Sequence, residues 1–411
     1  MVAPAPDPIP IDIARDQLVA AITPVNDTER VSLAAARGRI AAETVLSQID
    51  LPATYNAAVD GYGVHAASLL TAPDRRFRIA GIARAGHPFT GLIGPDEAIE
   101  IYTGGVMPAG PDCVAMHEDC TRTGDHVTIN KPLVAGNNMR PPGENLASGE
   151  AVIVKGQKIT ASLIGQLAAS GRADIAVYRR LKLAIMSTGD EVVDPGCQPG
   201  PGQISDANRP MLTAMLADSH TEIIDAGIVP DRRDRLVEAY RGALAMADVV
   251  ISSGGASDGI EDHTQHAMQA VGADCAFWRL AMKPGRPMAV GRAGGKLIFC
   301  LPGNPVAAFV CTRLLIQPLL SVLGGGAAGP LLKLAVKAGF SHKKKPGRAE
   351  YLRVVLSGEG AEQVLLIHGR KGAGVISSLT GADGLVEIPL DNAGVEPGMV
   401  LNFLPFHERG L

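Results

Sequence analysis

The residues able to do chemistry collect in short loops, each following an apolar run. Leu183–Met186 leads into Ser187-Thr188-Gly189-Asp190-Glu191, and Glu222–Ala226 into Gly227-Ile228-Val229-Pro230-Asp231. Val249–Ser252 runs into Ser253-Gly254-Gly255-Ala256-Ser257-Asp258-Gly259-Ile260-Glu261-Asp262, and Leu297–Leu301 into Pro302-Gly303-Asn304-Pro305. Glycine lets a backbone approach its ligand closely, and N–H groups ahead of a helix favour an anion. The pattern predicts a phosphate-binding crevice. Carboxylates at Glu191, Asp231, Asp258, Glu261 and Asp262 would repel that anion unless a hard cation lies between, which points to Mg²⁺. Acids at helix starts also complement the helix dipole, and this accounts for Asp234 and in part for Glu261. Lys283-Pro284-Gly285-Arg286-Pro287 holds two cations in a stiff loop near Arg279, as an oxyanion site needs.

Other clusters are less informative. His263 and His266 share a helix face, but no third ligand follows at metalloenzyme spacing, so a helix surface is expected. Lys343-Lys344-Lys345 before Pro346-Gly347 reads as an exposed hairpin tip. No Ser/His/Asp order and no nucleophile elbow point to covalent hydrolysis.

An open α/β sheet binds ligands beyond the carboxyl ends of its strands. Such a sheet is predicted from strands at Leu183–Met186, Glu222–Ala226, Val249–Ser252, Ala276–Leu280, Met288–Gly291 and Leu297–Cys300. Helices at Ala207–Ala217, Arg232–Met246, Glu261–Val271 and from Pro305 alternate with them, giving a doubly wound, mostly parallel sheet covered on both faces. Upstream, Ile11–Ala21, Val31–Val45 and Thr160–Ser170 read as helices, the last capped by Thr160. Between them, short runs at Phe77–Ala80, Ala98–Ile101 and His126–Ile129 predict a β-rich insertion. After the Gly324-Gly325-Gly326 hinge, Ala349–Leu356, Gln363–His368, Leu385–Pro389 and Met399–Leu404 predict a small β barrel or sandwich.

Composition narrows the function. The chain has 411 residues, 46% hydrophobic and 19% charged, so it is globular with several domains. Aromatics are 4%, Trp278 is the only tryptophan and the net charge is -4, which argues against a nucleic-acid surface. Six scattered cysteines (113, 120, 197, 275, 300 and 311) form no Cys-x-x-Cys pair, so neither zinc nor a disulfide framework is expected. Met1–Pro10 has no signal-peptide pattern, and polar residues interrupt the apolar stretch Pro305–Leu323. A cytoplasmic protein without a membrane span is expected.

Five segments of the α/β region, in order, resemble one family: Thr188–Glu191, Gly202-Gln203-Ile204-Ser205-Asp206-Ala207-Asn208, Ser253–Ser257, Lys283–Pro287 and Leu301–Pro305. Val59-Asp60-Gly61-Tyr62, Thr103-Gly104-Gly105-Val106-Met107-Pro108, Met139–Glu144 and Ser377-Ser378-Leu379 extend the match. The ordered set resembles the molybdopterin molybdenumtransferases, which include bacterial MoeA and the E domain of gephyrin. The resemblance implies a helical dimerisation domain (1–50 and 144–180) split by a β-rich module (51–143). A molybdopterin-binding α/β domain (181–327) and a C-terminal β barrel (328–411) follow.

It also implies a homodimer whose cleft is shared between subunits. Adenylylated molybdopterin and molybdate would react there, with Mg²⁺, to give molybdenum cofactor and AMP. Asp60 and Thr103 would come from the partner subunit. Glu191, Asp231 and Asp262 match acidic positions tied to activity and to the metal, and Arg279 and Lys283 match basic ones. Arg140, Ser187, Thr188, Gly189, Asp190, Ser253, Gly254, Gly255, Ser257, Arg286, Pro302, Gly303, Asn304, Pro305, Arg348 and Ser377 complete the expected ligand contacts. A molybdopterin adenylyltransferase and recipient molybdoenzymes are the implied protein partners.

Three positions depart from the family pattern. Asn145 stands where Asp is usual, Arg279 where Lys is frequent, and Asp258 where an apolar residue is common; Asp258 could compensate for Asn145. Two rival functions are an adenylyltransferase, which resembles the α/β domain alone, and a gephyrin-like scaffold, which needs none of the acidic or basic site residues.

Overall fold

The computed structural model describes residues 8–255, 263–327 and 329–406. Helix α1 (Ile11–Ala21) buries Ile11, Ala14 and Leu18, as its apolar spacing predicts. These side chains join Leu314, Leu319 and Leu323 in the core of the α/β region. Ile9 ties the segment down, donating to Arg279 O and accepting from Ala281 N. Ile9 and the buried face of α1 thus pack against the α/β core.

The expected helix at Val31–Val45 is replaced by β1 (Thr28–Ser32) and one helical turn, Leu33–Ala36. Gly38 stops the turn: its φ is +77°, and a Cβ there would lie 2.7 Å from Ser219 Oγ. β1 pairs antiparallel with Asp174–Tyr178, so this unit mixes strands with helices.

The inserted module is the β-rich body that its short runs predict. β2 (Gly61–Val64), β3 (Arg76–Ala83), β4 (Glu97–Ile101), β5 (Cys113–Met116), β6 (Cys120–Thr123) and β7 (His126–Ile129) form one sheet in the order β5-β2-β4-β3-β7-β6. A Cβ on Gly61 would stand 1.8 Å from Ala115 O. Glycine therefore lets the strand after Asp60 lie against β5. Helix α2 (Ala161–Ala169) follows, with Thr160 Oγ1 accepting from Leu163 N at 3.3 Å.

After β8 (Asp174–Tyr178) comes the α/β domain: β9 (Leu181–Thr188), α3 (Asn208–Leu216), β10 (Thr221–Val229), α4 (Arg233–Met246), β11 (Val249–Ser253) and α5 (His263–Ala270). β12 (Asp274–Arg279), β13 (Met282–Lys283), β14 (Pro287–Ala293), β15 (Lys296–Leu301) and α6 (Pro305–Cys311) complete it. The sheet order is β10-β9-β11-β15-β14-β12. Within β9, Leu183 and Ile185 enter the core cluster beside α1, α3 and α6, whereas Ala184 and Met186 face α4 and α5. Both faces are covered, hence the unbroken apolar runs.

The sheet is mostly parallel, as expected. β10, β9, β11 and β15 run together, but β14 and β12 pair antiparallel. Gly294 and Gly295, at φ +57° and +83°, close a two-residue turn between β14 and β15. Positive φ at both positions suits that hairpin.

Helix α6 continues through a π turn at Thr312–Ile316 to Leu323. Pro318 cannot donate and its ring crowds the Leu314 carbonyl, so the ladder slips: Gln317 N donates to Thr312 O. By length and composition this helix could cross a membrane, but 72% of its apolar window is buried within the protein. The expected hinge after it is a packed joint, because a Cβ on Gly325 would meet the Tyr178 ring at 2.5 Å.

The C-terminal strands β16 (Leu334–Ala338), β17 (Ala349–Ser357), β18 (Val364–Ile367), β19 (Gly384–Ile388) and β20 (Val400–Pro405) close a barrel in the order β17-β18-β16-β20-β19-β17. β13, from the α/β domain, adds onto β17 in parallel, pairing Lys283 with Glu350.

Phe299 is fully buried on the central strand β15. Phe299→Ala should cost about 3–5 kcal/mol, seen as an earlier denaturant midpoint for the α/β domain. A shift no larger than that of Ile13→Ala, at an exposed position of α1, would count against this packing.

Candidate functional site

The parallel strands β9, β10, β11 and β15 bring their carboxyl ends to one edge of the sheet. There a cavity of about 630 Å³ is lined by Ser187, Thr188, Gly189, Glu191, Asp231, Gly254, Gly255 and the turn Pro302–Pro305. Its floor depends on glycine. At Gly254 (φ +109°) a Cβ would lie 2.3 Å from Thr188 O, and at Gly255 (φ +72°) 2.3 Å from Thr264 Oγ1. The Gly254 N–H is not free for an anion, since it donates to Leu301 O at 3.1 Å. Gly254 therefore contributes close approach and shape.

Buried polar groups join these loops. Asn208, at the start of α3, donates through Nδ2 to Ser253 Oγ at 2.7 Å and Gly303 O at 2.8 Å. Ser187 Oγ donates to Asp206 Oδ1 at 2.9 Å. Asp190 Oδ1 accepts from Asp231 N at 3.1 Å, fixing one acidic loop against the other. Glu191 and Asp231 are exposed to the cavity, and among the described residues neither is paired with a cation. Among those residues, too, no three His, Cys, Asp or Glu side chains gather closely enough to enclose a metal.

A second chamber of about 400 Å³ opens where the α/β domain meets the barrel. Lys283, Arg286, Arg348, Arg353, Lys371, His342 and His368 line it, and Pro287, Pro302 and Asn304 line both chambers. Lys283 is held there by strand pairing and by Glu350, whose Oε1 is 3.3 Å from Lys283 Nζ. His342 Nε2 lies 2.8 Å from the other Glu350 oxygen. Burial alone would raise the Glu350 carboxyl, but His342 and Lys283 outweigh it and hold it below the usual range. Arg286 Nε is buried without a hydrogen-bond partner among the described residues.

Lys343 and Lys345 are exposed, as expected of the lysine run, but its middle residue is not. Lys344 is buried, and its ammonium donates to Leu390 O at 3.1 Å and Asn392 O at 2.9 Å. Burial pulls its pKa below the ordinary lysine value.

In the inserted module, Asp60 Oδ1 accepts from both Thr103 N and Thr103 Oγ1 at 2.7 Å. The backbone N–H contributes most, and the two donors hold the carboxyl below its ordinary value. The pair is exposed and lines neither chamber of its own chain.

Of the residues predicted from sequence, Ser187, Thr188, Gly189, Glu191, Asp231, Gly254, Gly255, Gly303 and Pro305 share the first chamber. Lys283, Arg286 and Arg348 share the second, with Pro302 and Asn304 common to both. Arg279 ends β12 opposite Pro287; Asp190 is exposed and Ser253 buried, and neither lines a chamber. Arg140 is exposed, 4.0 Å from Glu144, and Ser377 is exposed on a helical turn three residues past Gly374, which lines the first chamber. Asn145 is exposed, with its N–H on Leu51 O. Ser257, Asp258 and Asp262 lie outside the described residues. The motif around Asn208 does not single out that residue, and Arg353, Lys371 and His342 carry no local sequence pattern.

The family models for the MoeA N-terminal region (domain I and II), a probable molybdopterin binding domain and the MoeA C-terminal region (domain IV) match residues 9–171, 184–322 and 335–406. The molybdopterin molybdenumtransferase of Haemophilus influenzae is 32% identical over 401 residues, covering 97% of this chain and 98% of the relative. That of Nostoc is 35% identical over 318 residues, covering 76% and 73%. The crystal structure of a molybdopterin biosynthesis MoeA protein from Pyrococcus horikoshii aligns with a TM-score of 0.84 at 26% identity, over 97% of this chain and 100% of that one.

The Glu350 bridge makes a pH prediction. Because its folded pKa is lowered, the stability it contributes is complete above the usual carboxylate value of about 4.3 and is lost as pH falls through the folded value. The thermal midpoint of the native protein should exceed that of Glu350→Gln at neutral pH, and the gap should close on acidification. A gap that stays constant with pH would refute the bridge.

Proposed function

The chain belongs to the molybdopterin molybdenumtransferase family, and on that premise we propose that it inserts molybdenum into molybdopterin. The substrates are adenylylated molybdopterin and molybdate, and the products are molybdenum cofactor and AMP. One observation carries this assignment: an acidic chamber and a cationic chamber share Pro287, Pro302 and Asn304 in their walls. An elongated anion with a phosphate linkage at its middle suits such a divided surface.

Each half has a distinct task. Lys283, Arg286, Arg348 and Lys371 attract and orient oxyanions, molybdate among them. Gly254 and Gly255 let the substrate lie against the backbone without a side chain intervening. Glu191 and Asp231 suit Mg²⁺, which takes one or two protein carboxylates and completes its shell with phosphate and water. Asp262 is a further candidate ligand outside the described residues. Bound there, Mg²⁺ would supply positive charge at the linkage that releases AMP. The pterin's sulfur chemistry belongs to the substrate, and the protein contributes placement and electrostatics.

Asp60 and Thr103 complete the cleft from a second copy of the chain. Their exposure, their mutual hydrogen bonds and their separation from both chambers of their own subunit support that arrangement. The setting is cytoplasmic. An adenylyltransferase supplies the substrate and recipient molybdoenzymes take the product.

AMP release from adenylylated molybdopterin, dependent on molybdate and Mg²⁺, tests the reaction. Glu191→Ala should lower the rate at least about 100-fold while leaving the oligomeric state intact. Consumption of ATP without AMP release would indicate an adenylyltransferase instead. Mixing Asp60→Asn subunits with Glu191→Ala subunits tests the shared cleft. Heterodimers should regain activity, because one cleft then receives both native residues. No recovery in verified heterodimers would place Asp60 and Glu191 in separate sites or in one subunit's site.

A further inference from the structure

Of the three acids lining the first chamber, Asp206 pairs with Arg209, but among the described residues Glu191 and Asp231 have no cation partner, and both sit on loops that must keep a fixed spacing. The anchor lies behind the cleft. Arg209, on the first turn of α3, is buried, and its guanidinium meets three carboxylates from three chain segments. Nε donates to Asp206 Oδ2 at 3.0 Å, and Nη1 donates to Asp225 Oδ1 and Oδ2 at 2.6 and 2.5 Å. Nη2 donates to Asp194 Oδ1. Asp194 stands three residues after Glu191, on the loop leaving β9, and Asp225 lies in β10, six residues before Asp231.

We propose that Arg209 is a positioning residue that sets Glu191 and Asp231 at the spacing their shared ligand requires. The geometry has two parts. Asp225 sits where the β9–β10 register slips, between the Ile185 and Ser187 pairings, and its Oδ1 also caps Gly227 N at 2.9 Å. The turn that redirects the chain toward Asp231 is thereby tied to Arg209. At the other end, Asp206 takes the Ser187 hydroxyl and Arg209's own backbone N–H on Oδ1 while giving Oδ2 to Nε. One planar fork thus locks β9, its following loop and β10 to the start of α3.

The network is anionic overall, three carboxylates against one guanidinium, so it supplies negative potential behind the chamber as well as rigidity. Lysine keeps the charge but cannot reach three carboxylates in fixed directions. Arg209 touches no cleft ligand itself, since it lines neither chamber. Its effect passes through the two loops.

The inference rests on the proposed role of Glu191 and Asp231, and the test keeps the two apart. Arg209→Lys and the milder Asp225→Asn are compared with the native full-length protein in two measurements. Hydrogen exchange should rise about tenfold in the backbone of 189–194 and 226–231 and stay unchanged in the barrel and the inserted module. Mn²⁺ binding in the presence of AMP, read by electron paramagnetic resonance, should weaken about 10-fold or more, with Glu191→Ala abolishing it. Unchanged exchange at both loops in a folded variant would overturn the role of Arg209. So would general loosening of the whole domain, which marks a merely structural residue. If the native protein binds no Mn²⁺, the metal role of Glu191 and Asp231 falls, while loop exchange still decides whether Arg209 holds them. If Arg209→Lys does not fold, Asp225→Asn decides: equal exchange and equal Mn²⁺ affinity to native would overturn the proposal.

Discussion

Four chain segments end at one edge of one sheet because β9, β10, β11 and β15 pair in parallel, and the cleft depends on that alignment. Parallel pairing brings carboxyl ends together, so whatever follows each strand is delivered to a common place. A strand end alone is not rigid. Here the loops are joined by hydrogen bonds from two consecutive buried residues. Asn208 reaches the ends of β11 and β15, and Arg209 reaches β10 and the loop after β9. Asn208 and Arg209 are both buried, so a lost partner would leave an unsatisfied polar group, although Asp194 and Asp225 keep their carboxylates largely in water.

The same logic explains the second chamber. Its cations come from the loop around Lys283 and from the barrel, domains far apart in sequence. Pairing of β13 with β17 places Lys283 beside Glu350, and a carboxylate held ionised by His342 and Lys283 keeps the joint polar and directed. The barrel therefore supplies a wall of the site in addition to its own core. Cations thereby line one chamber, and the exposed carboxylates of Glu191 and Asp231 the other.

Several elements were legible because local chemistry alone specifies them. The Thr160 cap, the amphipathic spacing of Ile11, Ala14 and Leu18, and the apolar run of β9 each carry their own signal. Other features misled for definable reasons. The alanine-rich run after Val31 favours helix, yet Gly38 and pairing with Asp174–Tyr178 impose a strand and one turn. Gly324-Gly325-Gly326 has a hinge's composition, but tight packing against Tyr178 requires the missing side chain. Lys344 looks solvent-exposed in isolation, and only the fold places carbonyls around its ammonium.

Residue order by itself determined which loops carry glycines, acids and cations, since those depend on composition after each apolar run. It also determined the family, through motifs in a specific order. Tertiary structure alone decided that Gly254 spends its N–H on Leu301, that His342 and Lys371 face Lys283's chamber, and that Arg209 binds three aspartates. Each of these joins residues distant along the chain, or depends on which partner a group meets after folding. Local sequence carries no signal for either, because hydrogen bonding and burial are properties of the packed molecule.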